Sequence, residues 1–241
     1  MSEIFFSIIT VTFNSRNTIK DNIDSVKKQT YRNYEHLIID NLSSDGTSEI
    51  IKENLNNKII YIREKDNGCY EAMNKGINLS KGKWIHILNS DDYYQHNKVL
   101  LEATKVLKEN KLNYFKINFL DISTKIIKNY SWKYSKYKMY IKASIPHPTM
   151  IISKKQYNKV GLYNTDFKIA SDHDLTLKLI EWYYPIEHDF TLVTMRSNGL
   201  SRRNPILVAS EFRDVTIKNG FSKFIAYALF YLRIIKFFFK W

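Results

Sequence analysis

Residues 4–40 read IFFSIITVTFNSRNTIKDNIDSVKKQTYRNYEHLIID, and this stretch decides the fold. Ile4 to Thr12 is dominated by β-branched and other apolar residues and is closed by Asn14 and Ser15, the pattern of a buried strand. Asn17 to Lys28 places Ile19, Ile23 and Val26 at helical spacing, and Tyr34 to Asp40 returns to a short β-type run. The rhythm continues outward. Ser43 to Thr47 is a turn leading into a helix to about Leu55, Lys58 to Arg63 is a third strand, Tyr70 to Leu79 a third helix, and Trp84 to Asn89 a fourth strand. Such alternation implies an α/β fold with a parallel sheet, right-handed crossovers and helices on both faces.

Ligands of these sheets sit beyond the carboxyl ends of the strands. That singles out Thr12-Phe13-Asn14, Asp40-Asn41, Glu64 to Gly68, and Asn89-Ser90-Asp91-Asp92. Neither GxGxxG nor GxxxxGK[ST] occurs, so a bound nucleotide needs another way to neutralise its phosphates. Beyond about residue 110 the rhythm fades. Asn113 to Ile127 predicts one or two strands, Ser153 to Val160 and Ser171 to Trp182 capped helices, Phe190 to Met195 a strand, and Pro205 to Lys218 a helix.

With 241 residues, 44% hydrophobic and 25% charged, the chain is long enough for a core and is neither a disordered nor a multi-span membrane composition. Its single cysteine, Cys69, excludes a disulfide framework and a cysteine zinc site and points to a reducing compartment. No export signal is expected at the N-terminus. The formal charge of +13 favours a polyanionic partner such as nucleic acid, anionic lipid or a phosphorylated substrate.

Two acidic places invite chemistry. Asp91 and Asp92 follow an apolar strand, and adjacent carboxylates are costly there unless a cation such as Mg²⁺ or Mn²⁺ compensates; turn formation and helix capping are the other reading. Asp172 and Asp174 follow Ser171 in what reads as a capping box, which accounts for one acid better than for two. A carboxylate at a helix start can also serve as a general base.

Together the segments Ser7 to Asn14, Ile39 to Thr47, Glu64 to Gly76, Leu88 to Asp92 and Ala170 to Leu175 resemble, in order, the motifs of family 2 glycosyltransferases, and most closely bacterial members that build O-antigen or capsule repeat units. The resemblance covers about residues 4–200. It implies a GT-A fold, a Rossmann-like, mostly parallel sheet flanked by helices, with an inverting mechanism. Residues 1–201 would form the catalytic domain, 1–110 for the nucleotide and 111–201 for the acceptor, and residues 202–241 a helical extension. By the same resemblance Thr12, Phe13 and Asn14 frame the nucleobase, Asp40 hydrogen-bonds uracil of a UDP-sugar, and Asp66, Gly68, Asn74 and Lys75 line the donor. Asn89, Ser90 and Asp91 occupy the D-x-D region, with Asp91 and Asp92 as ligands of Mn²⁺ or Mg²⁺. Asn89 replaces the first acid of that motif and leaves the metal's identity open. Asp172 matches the general base, with Ser171 in place of the usual Glu. His147 falls on the acceptor side, and Arg202 and Arg203 are placed to meet a diphosphate or to form a solvated loop.

From Arg202 to Trp241 eight basic residues face two acids. Arg233, Lys236 and Lys240 fall on one helical face and Phe221, Phe224, Ile225, Ala228, Leu232, Ile235 and Phe239 favour another, which describes a basic amphipathic helix. Such a helix lies on the inner face of the cell membrane or packs on the protein's own core. A peripheral cytoplasmic enzyme acting on a lipid-linked saccharide follows from the first alternative. Lys125 to Lys142 carries six lysines and four tyrosines, which suits the same surface or single-stranded RNA. No nucleic-acid motif accompanies it, and none is expected as partner. A nucleotidyltransferase-like metal enzyme and a non-enzymatic basic binding module remain the competing classes; oligomeric state is unread.

Overall fold

The computed structural model describes residues 3–142, 144–197 and 204–239. The first half follows the predicted alternation: β1 Phe6–Thr12, α1 Ile19–Lys27, β2 Tyr34–Asp40, α2 Thr47–Glu53, β3 Ile59–Arg63, α3 Cys69–Leu79 and β4 Trp84–Ile87. The second half comprises β5 Tyr93–Tyr94, α4 Val99–Val106, β6 Lys111–Leu120, β7 Ile127–Tyr130, α5 Lys136–Ile141, a 3-10 turn at His147–Thr149, β8 Met150–Ser153, α6 Lys154–Val160, α7 Ser171–Trp182, β9 Tyr184–Arg196, α8 Pro205–Lys218 and α9 Lys223–Phe239. One sheet carries them in the order β3-β2-β1-β4-β8-β6-β9-β5, with β7 paired to β6.

Strands β1 to β4 are parallel, as the crossovers require. Beyond them the sheet is mixed: β8 runs antiparallel to β4 and β6, β6 and β9 are parallel, and β5 is antiparallel to β9. Strand β9 begins six residues before the predicted Phe190, because Tyr184 to His188, which includes Pro185, Glu187 and His188, still pairs with β6. Register shifts on either side of Lys116 absorb that irregular start.

The two-residue period of β1 divides the core between the faces of the sheet. Ile9 and Val11 join Met73 and Ile77 of α3 and Leu175 and Leu179 of α7. Phe6 and Ile8 point the other way, toward Val26 of α1 and Val99, Leu100 and Ala103 of α4. The anticipated boundary at 201/202 falls among residues outside the description, but α8 beyond it is built into the core: Val215 is fully buried beside Leu175 and Phe212 is almost so.

The predicted capping box of α7 is replaced. Ala170 is the N-cap, no side chain caps the helix, and the Ser171 hydroxyl is buried without a partner among the described residues. In contrast Ser153 does cap α6 through a full capping box with Gln156.

Close approach of backbone fixes one glycine. A Cβ on Gly82 would lie 2.5 Å from the Ser7 nitrogen and 2.6 Å from the Phe6 carbonyl carbon. Gly82→Ala should therefore destabilise the domain by about 1–3 kcal/mol, the usual range for forced overpacking. A denaturant midpoint equal to wild type would show that β1 and β4 separate freely there.

Candidate functional site

The carboxyl edge of β1 to β4 gathers the site. The Asn41 amide donates to the Thr12 carbonyl at 3.0 Å, and the Asp66 amide donates to Asn41 Oδ1 at 2.9 Å, so the loops after β1, β2 and β3 are stitched side by side. Leu88 N donates to Ile9 O at 2.9 Å and the Ser90 and Ser15 hydroxyls meet at 2.8 Å, which brings the loop after β4 to the same place. Thr12 Oγ1 is buried with no partner among the described residues, Phe13 is 60% exposed, and Asn14 takes a left-handed φ of 51° that lets its Oδ1 accept from Ser44 N.

Asp40 has an internal task. Its Oδ1 accepts from the Ser43 amide at 3.0 Å and the Ser43 hydroxyl at 2.5 Å, and its Oδ2 from Ser48 Oγ at 2.8 Å and the Tyr61 hydroxyl at 2.7 Å. Burial pushes the Asp40 carboxyl upward, but the Ser43, Tyr61 and Ser48 bonds outweigh it and hold the group below the usual carboxylate range. The fully buried carboxylate is thus occupied by four donors, and its neighbour Asn41 is the more exposed polar side chain at the mouth of the same strand.

Asp92 is enclosed as well. It is fully buried, and burial, with Asp91 beside it, raises its pKa well above the ordinary value. Its Oδ1 has no hydrogen-bond partner among the described residues, whereas Asp91 beside it is half-buried. The turn carrying it is tied down by Asn22, whose Nδ2 donates to the Asn89 and Asp92 carbonyls at 2.9 and 3.0 Å, and by Arg196, whose guanidinium donates to the Asp91 carbonyl at 2.7 Å. Neither Asn22 nor Arg196 was singled out from sequence. Asn22 left one trace, a polar side chain on the otherwise apolar stripe of α1.

No group of three or more His, Cys, Asp or Glu side chains placed to hold a metal occurs among the described residues. Asn89 Nδ2 points to Asp92 Oδ2 at 3.3 Å, which leaves the amide oxygen as the ligating atom of that residue. With the half-buried Asp91, this supplies one carboxylate and one neutral oxygen, a set that fits a hard divalent cation whose other positions are filled by diphosphate oxygens and water.

Asp66 is buried, which raises its pKa, and its Oδ1 accepts from Gly68 N at 3.0 Å at the start of α3. Lys75 pairs with Glu64 at 2.7 Å. Asn74 clamps the main chain of Tyr163, its Oδ1 accepting from the amide at 2.9 Å and its Nδ2 donating to the carbonyl at 2.8 Å. His147 Nε2 meets the Tyr163 hydroxyl at 2.6 Å, and burial lowers its pKa to about 4, so it is neutral. Cys69 is half-buried, with its thiol pushed up to about 11 by burial and by Asp172. Arg202 and Arg203 lie outside the described residues.

Asp172 stands at the first turn of α7, where α3 and α7 meet. The Tyr70 hydroxyl lies 3.3 Å from its Oδ1, and its own helix supplies one amide, His173 N at 2.8 Å. Tyr70 stacks on Tyr163 with centroids 5.5 Å apart, so an aromatic wall backs the carboxylate. Burial raises the Asp172 pKa to about 6 against those two donors. At neutral pH the group is ionised but basic, which suits removal of a proton from a hydroxyl.

The sequence profile described as Glycosyl transferase family 2 matches residues 7–162. The chain belongs to this family. It is 26% identical over 183 residues to a PGL/p-HBAD biosynthesis glycosyltransferase of Mycobacterium tuberculosis, covering 74% of this chain and 70% of the relative. To an uncharacterized glycosyltransferase of Rickettsia prowazekii it is 33% identical over 183 residues, covering 71% of this chain and 57% of the relative. Among solved structures, S. aureus TarS 1–349 in complex with UDP-GlcNAc superposes with a TM-score of 0.67 at 18% identity, over 94% of this chain and 70% of TarS 1–349. The mannosyltransferase PcManGT of Pyrobaculum calidifontis, in complex with GDP-Man and Mn²⁺, gives 0.67 at 17% identity over 94% and 69%. The family 2 chain is thus a glycosyltransferase of GT-A fold, and the nucleotidyltransferase and non-enzymatic readings fall away.

The raised pKa of Asp172 carries a stability consequence. Ionising it costs more in the folded glycosyltransferase than in the unfolded chain, so the deficit is fully present above about pH 6 and disappears below the ordinary carboxyl range near ~4. Asp172→Asn should stabilise the fold by on the order of 1–3 kcal/mol at about pH 8, with the gain shrinking as pH falls toward ~4. Melting curves across that range test it; a pH-independent difference would place Asp172 in water.

Proposed function

We propose that this glycosyltransferase inverts the anomeric centre of a nucleoside-diphosphate sugar by a single displacement, placing the sugar on a hydroxyl of a lipid-diphosphate-linked saccharide of a bacterial surface polysaccharide. The observation that carries this reading is Asp172: a half-buried, basic carboxylate at the carboxyl edge of the sheet, on the same edge as the loops after β1 and β4. Asp172 takes the proton of the acceptor hydroxyl as its oxygen attacks the anomeric carbon, and the sugar–phosphate bond breaks on the opposite side. Phe13 offers the nucleobase an exposed ring, with Asn41 and Thr12 Oγ1 as polar partners. Asp91 and Asn89 would hold Mg²⁺ or Mn²⁺, which supplies charge neutralisation to the departing diphosphate. The Mn²⁺ in the PcManGT complex supports a divalent cation, and the UDP and UDP-GlcNAc complexes of TarS support uridine, with GDP-mannose as the competing donor.

The seat at a cytoplasmic membrane surface rests on α9. No helix among the described residues is long and apolar enough to cross a membrane. Yet α9 turns Phe224, Leu232 and Phe238 outward at 84, 61 and 64% exposure, among other aromatic and aliphatic side chains, while Ala226 is the one well-buried side chain among those described in it. These side chains share the outside with the exposed Lys223 and Lys236, whereas Arg233 bends inward, donating to the Ile141 carbonyl and lying 4.0 Å from the Phe212 ring centre; Lys240 lies outside the described residues. An apolar face of this size beside Lys223 and Lys236 suits anionic lipid.

Nucleoside diphosphate release from a panel of UDP- and GDP-sugars should fall about 10²- to 10⁴-fold in Asp172→Asn and should stop in EDTA. Full turnover by Asp172→Asn would remove the base, and turnover in EDTA would remove the cation. Replacing Phe224, Leu232 and Phe238 together by Glu should abolish pelleting with anionic vesicles; unchanged pelleting would assign α9 another partner.

A further inference from the structure

Helix α8 holds the chain on both sides of Asp172. Ahead of it, the buried Glu211 carboxylate accepts from three consecutive main-chain amides, Lys168 N at 2.9 Å on Oε1 and Ile169 N and Ala170 N at 2.8 and 3.0 Å on Oε2. Behind it, Asn219 at the end of the same helix donates from Nδ2 to Asp174 Oδ1 at 2.9 Å. The peptide groups of Ile169 are fixed at both ends, since its carbonyl accepts from the Tyr70 hydroxyl at 2.5 Å. That hydroxyl is the one beside Asp172 Oδ1.

Three adjacent amides gathered on one carboxylate form a concave donor set of the kind that recognises anions, and here a side chain from 41 to 43 residues away occupies it. Hydrogen bonds to an ionised acceptor are the stronger kind, and the Glu211 side of this set is buried. Its geometric effect is to fix the chain that enters α7 immediately before the reacting carboxylate.

We propose that Glu211 and Asn219 are positioning residues of the transfer reaction, acting through loop 168–170 and Asp174 to hold the Asp172 carboxylate at the acceptor hydroxyl. This rests on the reading of Asp172 as general base. Positioning of this kind acts on the chemical step rather than on donor binding, because the loops after β1 and β4 take no bond from α8 among the contacts described here. Glu211 also adds its negative charge to the burial that raises the Asp172 pKa.

The test is steady-state kinetics of the full chain with the donor and acceptor that support turnover. Glu211→Gln should lower kcat about ten- to a hundredfold with donor KM within about twofold, the signature of a displaced catalytic group. It should also move the acid limb of the kcat profile to lower pH, because a neighbouring negative charge is gone. Val215→Ala, which truncates α8 in the core without touching loop 168–170, is the structural comparison: it should lower Tm and leave the limb in place. If Glu211→Gln leaves kcat and the limb unchanged while Asp172→Asn is inactive, the positioning role is overturned and the base stands. If Asp172→Asn is fully active, the base reading fails and this proposal with it. Should Glu211→Gln not fold, Asn219→Ala carries the same test, with a smaller fall in kcat at constant donor KM expected and an unchanged kcat overturning the proposal.

Discussion

A carboxylate taken out of water must be given donors, and in this protein the number each one receives sorts scaffold from chemistry. Asp40 receives four hydrogen bonds and becomes the post on which the loop after β2 is hung. Glu211 receives three amides and holds the entry to α7. Asp174, fully buried, is met by Asn219 at 2.9 Å and Lys178 at 2.7 Å. Asp92 receives one long contact from Asn89, and burial with Asp91 beside it pushes its pKa up. Asp172 stands between these extremes: enough donors to stay ionised at neutral pH, too few to stop being basic. A protein that satisfied Asp172 as it satisfies Asp40 would be more stable and would hold a less basic carboxylate there, the usual opposition between stability and a reactive group.

The rest of the site follows from keeping those groups in register. Asn22 and Arg196 come from opposite ends of the domain, α1 and the end of β9, yet both bind carbonyls of the turn after β4. The turn therefore reports on the closure of the whole sheet, from its parallel half to its mixed half. Asn74 does for the loop at Tyr163 what Asn22 does for the turn at Asp91, fixing main chain with a side-chain amide. Amides suit this work because they donate and accept without a charge that burial would penalise.

Periodicity made the first half legible because β1 to β4 are buried on both faces and alternate with amphipathic helices, so each element announced itself locally. The helix that carries Asp172 was legible for the same reason, since sequence places Ser171–Trp182 correctly. What escaped was long-range. The capping box at Ser171 reads well in sequence, but the donors that need satisfying lie one to three residues earlier and are met by Glu211, some 40 residues on, where an acid in a basic segment gave no sign of its partner. The internal partners of Asp40 were hidden for a related reason. A carboxylate at a strand end looks available until Ser48 and Tyr61, from the next helix and strand, are folded against it. The early part of β9 was hidden by Pro185 and its ionisable neighbours, whose strand character comes from pairing with β6 and not from their own preferences.

The C-terminal hairpin joins two tasks that composition alone treats as one. Helix α8 faces inward and grips α7, whereas α9 shows its aromatic side chains to the outside. Phe212 lies between them: its ring stacks on His173 with centroids 4.3 Å apart and planes 10° from parallel, and the Arg233 guanidinium lies 4.0 Å from its centre. His173 follows Asp172 directly and, desolvated to a pKa of about 4, adds no charge beside it. Helix α9 is thus joined through Arg233 and Phe212 to the residue that follows Asp172, a short path of packed side chains between the outward-facing helix and the first turn of α7.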